Sequence, residues 1–294
     1  MQRMHFEEFF SWLAELRRTT FSSVAQFKDR FIALFSGNKG AGRQQVKQDK
    51  SHPIPVTHVP EGVIVYAVGD VHGRLDLLQK LVEQIRVDAE PYLEDHKCAV
   101  VFLGDYIDRG FQSRGVIDFL LGDALRGFEV RHLKGNHEEA LLRFLSDSSF
   151  GPQWAQFGGI ETLVSYNVQP PRGRERLEEW EAARQDLVEK MPHEHLLFLE
   201  RLELCLVLGD YTFVHAGLRP GKSLEQQSPK DLLWIRDDFL FDDEPFEGII
   251  VHGHTPTNHE YRDYRRIGVD TGAYLSGRLT AVRLHEDKVE FIST

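Results

Sequence analysis

From Gly62 onward, apolar runs end in short polar loops rich in glycine. Val63–Val68 is continuously apolar and is followed by Gly-Asp, and residues 99–103 repeat that arrangement. Residues 128–133 lead into Lys-Gly-Asn-His. Residues 204–208 and Tyr211–Val214 flank Gly209-Asp210 in the manner of a hairpin, and the second run ends in His-Ala-Gly. Residues 248–251 end in His-Gly-His. Helical spacing fits residues 75–85, 114–124 and 138–145 between these runs. Strands alternating with helices predict an α/β architecture, and near-continuous apolar strands predict sheets covered on both faces.

Two segments break the alternation. Residues 146–200 contain Trp154, Phe157, Gly158-Gly159 and a charged helical stretch at 174–190, which reads as a helical insertion between strands. At the other end, Phe6, Phe9, Phe10, Leu13 and Leu16 share one helical face, and Val24, Phe27, Phe31 and Phe35 continue a second stripe. Residues 1–36 are thus expected to be an amphipathic helical extension. Residues 37–60, glycine-rich and then polar with three prolines, are expected to be a linker. The catalytic domain is expected over 61–294.

Composition narrows this picture. A chain of 294 residues with 41% hydrophobic content can bury a core without disulfides. Cys98 and Cys205 both lie in apolar runs and read as buried thiols of a reducing compartment. Residues 1–50 carry nine Lys/Arg against five Asp/Glu, and the remainder carries 26 against 41. So acidic a main domain argues against general nucleic-acid binding. No stretch approaches the ~18 apolar residues of a membrane span, and charges at Glu7, Glu8, Glu15, Arg17 and Arg18 interrupt any secretory signal. A cytoplasmic location is expected, with membrane association through the N-terminal segment as the reservation.

The chemistry gathers where strands end. Asp70 and His72 follow the first strand, Asp105 and Asp108 the second, Asn136 and His137 the third, and His215 and His254 later ones. Ligands of open α/β sheets collect beyond the carboxyl ends of strands. If these loops converge, a site of Asp, Asn and His without thiolate suits manganese first, then iron, zinc or magnesium.

Gly-Asp-Val-His-Gly (69–73), Gly-Asp-Tyr-Ile-Asp-Arg-Gly (104–110) and Gly-Asn-His-Glu (135–138) resemble the three signature motifs of the phosphoprotein phosphatase family of calcineurin-like metallophosphoesterases. His215-Ala-Gly and Gly253-His-Thr resemble its two later histidine motifs. The likeness runs from about Val63 to Leu284, includes Val269-Asp-Thr-Gly-Ala, and is nearest the compact bacterial and phage branch of serine/threonine phosphatases. It implies a four-layer α-β-β-α sandwich carrying the helical insertion and the N-terminal helical extension.

It also implies roles. Asp70 and His72 resemble ligands of one divalent ion, Asn136, His215 and His254 ligands of a second, and Asp105 the carboxylate bridging both. His252 is either a residue that supports a ligand or a polar strand residue. Arg109 and Arg236 resemble the phosphate-binding arginines. His137 resembles the general acid, oriented by Asp108, whose charge is expected to raise the histidine's pKa. The implied reaction is direct in-line hydrolysis by a hydroxide that two ions generate from water.

The expected function is a metal-dependent phosphomonoesterase acting on phosphoserine and phosphothreonine in proteins. The alternative is a symmetrical bis(5'-nucleosyl)-tetraphosphatase or another small-molecule phosphatase. Asp237, Asp238, Asp242, Asp243 and Glu244 would repel a polyanionic nucleotide if they faced the groove. Trp154 and Trp234 read as packing residues, and His52, His58, His193, His195 and His259 as surface residues. Residues 1–36 have three readings: packing on the catalytic domain, contact with a partner, or peripheral contact with a membrane.

Overall fold

The computed structural model describes residues 52–294. The expectations for residues 1–36 and for most of the linker lie outside the described residues. Its last residues do not hang free. Thr57 and Val59 are buried, the Thr57 hydroxyl and the Tyr211 hydroxyl are 2.8 Å apart, and His58 N donates to Asp210 Oδ2 at 2.8 Å.

In chain order the larger elements are β1 (Val63–Val68), α1 (Leu75–Ala89), β2 (Lys97–Phe102), α2 (Ser113–Leu121), β3 (Glu129–His132) and α3 (Asn136–Ser146). Next come α4 (Gly159–Ser165), α5 (Leu177–Lys190), α6 (His193–Glu200), β4 (Cys205–Leu208), β5 (Tyr211–Val214), α7 (Pro229–Trp234) and β6 (Ile249–His252). The chain ends with β7 (Tyr261–Arg262), β8 (Arg266–Gly268), β9 (Thr280–His285) and β10 (Lys288–Ser293).

The strands form two five-stranded sheets, ordered β10-β9-β1-β2-β3 and β4-β5-β6-β8-β7. β1, β2 and β3 run parallel, as do β5, β6 and β8, and antiparallel strands close the remaining positions. Strand alternation then assigns the faces. Val65, Ala67, Ala99 and Val101 point from the first sheet into one shared core with Phe213, Val251 and Ile267 of the second. Each fully buried aliphatic contributes roughly 1.5–3 kcal/mol to holding the sheets together.

The outer faces are covered by helices. Tyr66, on the opposite face of β1, donates its hydroxyl to Asp88 of α1 at 2.6 Å. Val214 and Ile250 pack outward against Leu232, Ile235 and Phe239. This is the α-β-β-α sandwich, with the insertion of α4 to α6 between β3 and β4. Cys98 and Cys205 are free thiols. Among the described residues no helix is long and apolar enough to cross a membrane.

Candidate metal centre

The functional side chains leave from loops at the carboxyl ends of β1, β2, β5 and β6, and from the start of α3. Backbone bonds staple the first two loops together: His72 N donates to Asp105 O at 2.8 Å, and Gly73 N to Tyr106 O at 2.9 Å. Glu138, fully buried, accepts from the backbone N–H of Asp105 at 2.9 Å, of Tyr106 at 2.8 Å and of Gly135 at 2.8 Å. One carboxylate thereby ties the second loop to the third. The close approach of Gly253 is sterically required, because a Cβ there would overlap Asp70 Oδ1.

Seven non-glycine residues described here have positive φ, and five belong to this site: His72, Asp105, Asp108, Arg109 and His254. Each such conformation costs of order 1–3 kcal/mol and persists where the surroundings over-determine it. Backbone strain thus concentrates on the residues that the sequence selected.

Two groups of side chains bring possible ligand atoms within 4.8 Å of one another: His72, Asp105 and His137, and Asp105, His215 and His254. Asp105 is common to both. Its Oδ2 lies 3.5 Å from His72 Nε2 and 3.7 Å from His137 Nε2, and its Oδ1 lies 3.4 Å from His215 Nε2. Asn136 Oδ1 is 2.9 Å from His215 Nε2 and 2.8 Å from His254 Nδ1. Asp70 stands further out, with Oδ2 3.9 Å from His72 Nε2, while both of its oxygens accept from His254 N at 3.1 Å. All six expected ligands are buried and converge.

The donor chemistry fits divalent ions. His72 Nδ1 donates to Ile107 O and His215 Nδ1 to Leu103 O, each at 2.9 Å, so both Nε2 atoms turn bare lone pairs inward. Burial pushes the imidazoles of His72 and His254 well below the usual histidine range and that of His215 down to about 3. Burial, reinforced by neighbouring carboxylates, pushes Asp70 and Asp105 well above the usual carboxylate range. Neutral imidazoles and crowded carboxylates both improve when a cation enters.

His137, Asp108 and Arg109, expected to be catalytic, group beside these candidate ligands. His137 Nδ1 is 2.8 Å from Asp108 Oδ2, and Arg109 Nη2 is 3.3 Å from His137 Nε2. The Arg109 guanidinium lies over the Tyr274 ring, 4.6 Å from its centroid. Arg236 is solvent-exposed, yet its charge reaches His137, His215 and His254.

The expected rise in the His137 pKa is corrected. Burial, then Arg109 and Arg236, hold the imidazole well below its usual range, so desolvation outweighs the Asp108 carboxylate. Burial also raises Asp108 to about 7, against the hydrogen bonds from Thr162 and Trp154. With a guanidinium facing Nε2, the imidazole is neutral and carries its proton on Nδ1.

His252 does not face the centre. Its Nδ1 donates to Gly253 O at 3.0 Å and its Nε2 accepts from Arg266 at 3.1 Å. His195, expected at the surface, is buried between the Tyr166 hydroxyl and Asp118, each at 2.9 Å. Three participants had no role assigned from sequence: Glu138, Asp270 and Thr162. Asp270 is buried and hydrogen-bonded with Asp70, and its Val-Asp-Thr-Gly context after an apolar run was the available signal. Trp154 does pack, stacked on Phe144 at 4.8 Å, but its indole N–H also donates to Asp108 Oδ2 at 2.9 Å.

Comparison with known proteins identifies the family. The model of the calcineurin-like phosphoesterase family matches residues 64–289. A Bacillus thuringiensis (strain Al Hakam) protein named bis(5'-nucleosyl)-tetraphosphatase PrpE, asymmetrical, is 29% identical over 235 residues, covering 74% of this chain and 89% of its own. A Bacillus mycoides (strain KBAB4) protein of the same name is 28% identical over 233 residues, with coverages of 74% and 89%. A crystal structure described as that of a candidate diadenosine tetraphosphatase shares the fold, with a TM-score of 0.54 at 19% identity over 81% of this chain and 96% of that one. With its motifs converged on one buried Asp/Asn/His centre and the family match spanning most of its length, this chain belongs to the calcineurin-like phosphoesterases and is a hydrolase of phosphoric esters.

Proposed function

We propose that this chain hydrolyses phosphomonoesters, with phosphoserine and phosphothreonine in proteins as the substrate class. The observation that carries this reading is the buried His137–Asp108 pair beside Arg109. A serine or threonine alkoxide is a poor leaving group and needs a proton as the P–O bond breaks. A phosphoanhydride expels a phosphate anion, which departs without one. An acid pair held this firmly is of most use against an alkyl ester.

Asp70, His72 and Asp105 would hold one ion, and Asp105, Asn136, His215 and His254 the other. Such ions supply Lewis acidity to phosphoryl oxygens and make water nucleophilic at neutral pH. The remaining work belongs to the chain. Arg109 and Arg236 orient the phosphoryl group and balance its charge. Burial first, then the two guanidinium charges, keeps His137 neutral, and an incoming phosphate dianion offsets the charge part, so that Nε2 takes a proton from solvent and passes it to the leaving oxygen. Asp108 keeps the ring in the tautomer this requires.

A second reading, hydrolysis of dinucleoside tetraphosphates, is favoured by the names of the relatives above. The acidic residues near Arg236 weigh less against it than their number suggests. Asp238 pairs with Arg219 at 2.9 Å, and Asp242 with Arg265 at 3.6 Å. The test is a substrate panel on manganese-loaded protein: phosphoserine, phosphothreonine and phosphotyrosine peptides against diadenosine tetraphosphate. The proposal expects higher kcat/KM on the phosphoserine and phosphothreonine peptides. A higher value on the dinucleotide would replace it with the second reading, and ATP plus AMP rather than ADP would identify asymmetrical cleavage.

A further inference from the structure

We infer that Trp154 and Thr162, both from the insertion, are positioning residues for the acid pair, acting on His137 through Asp108. The inference rests on the phosphomonoester reading, because only a poor leaving group makes the placement of the acid decisive.

Asp108 and Arg109 are consecutive non-glycine residues in the left-handed region, with φ of 69° and 66°. Within the loop, Gly110 N donates to Asp108 O at 2.7 Å, which closes the turn over Arg109. The insertion, together with Ser113 of α2, supplies further bonds. Asp108 N donates to Thr162 Oγ1 at 2.9 Å and to Ser113 Oγ at 3.1 Å, and Arg109 N donates to Gly158 O at 3.0 Å. Gly158 can come this close only as glycine. A Cβ there would stand 2.6 Å from Arg109 N, and its own φ is +98°.

The carboxylate is held from the same side. Thr162 Oγ1 donates to Asp108 Oδ1 at 2.7 Å, while Trp154 Nε1 donates to Oδ2 at 2.9 Å. Oδ2 also accepts from His137 Nδ1 at 2.8 Å. An indole N–H is only ever a donor. It occupies a lone pair of Oδ2, which favours the shared proton on Nδ1 and leaves Nε2 as the atom that faces substrate. Trp154, Thr162 and Asp108 are all fully buried, so no water substitutes for a lost partner. Asp105 shares the loop of Asp108 and the other five expected ligands lie elsewhere, and none of the bonds from Trp154 or Thr162 goes to any of the six. Loosening the insertion should therefore spoil proton delivery before it spoils metal binding.

Three variants test this. Trp154→Phe keeps the stack on Phe144 and removes the N–H. Thr162→Val keeps the shape and removes the hydroxyl, and Thr162→Ser keeps the hydroxyl. Each is measured for bound manganese, for kcat on phosphoserine and on p-nitrophenyl phosphate, and, in metal-free protein, for the NMR resonance of the hydrogen-bonded His137 Nδ1 proton. The first two should lower the phosphoserine-to-nitrophenyl ratio of kcat by about tenfold or more and shift that resonance upfield. Thr162→Ser should keep both near wild type. Equal loss on the two substrates, an unmoved resonance, or failure of Thr162→Ser to rescue would each overturn the inference. The first two variants are read separately, so misfolding of one leaves the other decisive. Wild-type protein inactive on phosphoserine would instead sink the phosphomonoester reading, and the resonance would still report on positioning.

Discussion

The Nε2 of His215 and the Nδ1 of His254 face each other at 3.2 Å, both buried, with the amide oxygen of Asn136 within 2.9 Å of each. Because His215 Nδ1 donates to Leu103 O, its Nε2 has no proton to offer. The bare Nε2 of His215, the amide oxygen of Asn136 and the His254 imidazole nitrogen gather at one point and fit a cation. His254→Ala should therefore lower bound manganese by about one ion per chain relative to wild type, measured by elemental analysis after dialysis. Unchanged stoichiometry would remove His254 from the ligand set.

Asp105 differs from the other ligands because both groups of side chains include it. Asp105→Asn keeps the size of the residue but removes the charge shared between them. The expected outcome is weakened binding of both ions and loss of turnover by several orders of magnitude. Binding of either ion with wild-type affinity in a calorimetric titration would contradict a bridging role.

His137→Ala removes a proton donor but no expected metal ligand. Turnover of alkyl phosphates should fall about 100-fold or more, and that of p-nitrophenyl phosphate far less, since nitrophenolate leaves unaided. The structure also puts His137 Nε2 3.7 Å from Asp105 Oδ2, within one of the two possible ligand groups. Metal content must therefore be measured alongside. A parallel fall in metal and in both activities would make His137 a ligand instead of an acid.

The candidate ligands are legible in sequence because they sit one to four residues beyond apolar runs, at turns that glycine permits. The limits of β1 and β5 match the apolar runs, while α1 continues to Ala89, one turn past the expected end and just before Pro91. α2 stops at Leu121 because Gly122 follows. What sequence hides is contact across the fold. Trp154 and Thr162 reach Asp108 from 46 and 54 residues away, and no local spacing encodes that. His193 and Glu194 give His195 a polar context on one side only, and the apolar run 196–199 that follows it is the signal for burial. Its i+3 and i+4 partners in α6, Phe198 and Leu199, are buried and share its inner face. The motif shows the carboxylate beside His137 but not the burial that outweighs it.

His132 offers a test of acid stability away from the catalytic centre. It lies on β3 stacked against Phe102 at 5.4 Å and edge-on to Phe198 at 5.0 Å, with its Nε2 buried and unpartnered. Burial lowers its pKa to about 4, against about 6.5 in the unfolded chain. Between those values the unfolded chain binds the proton that the folded chain refuses, so this group destabilises the fold progressively as pH falls from about 6.5 to about 4. Full burial would make that about 3 kcal/mol, and partial exposure reduces it to about 1–2 kcal/mol. His132→Phe removes the titration and keeps an aromatic ring among aromatic neighbours. Its stability relative to wild type should be nearly constant above pH 7 and should improve by about 1–2 kcal/mol on going to pH 4, measured by denaturant unfolding across that range. A stability difference independent of pH would show that His132 is as readily protonated in the folded chain as in the unfolded one.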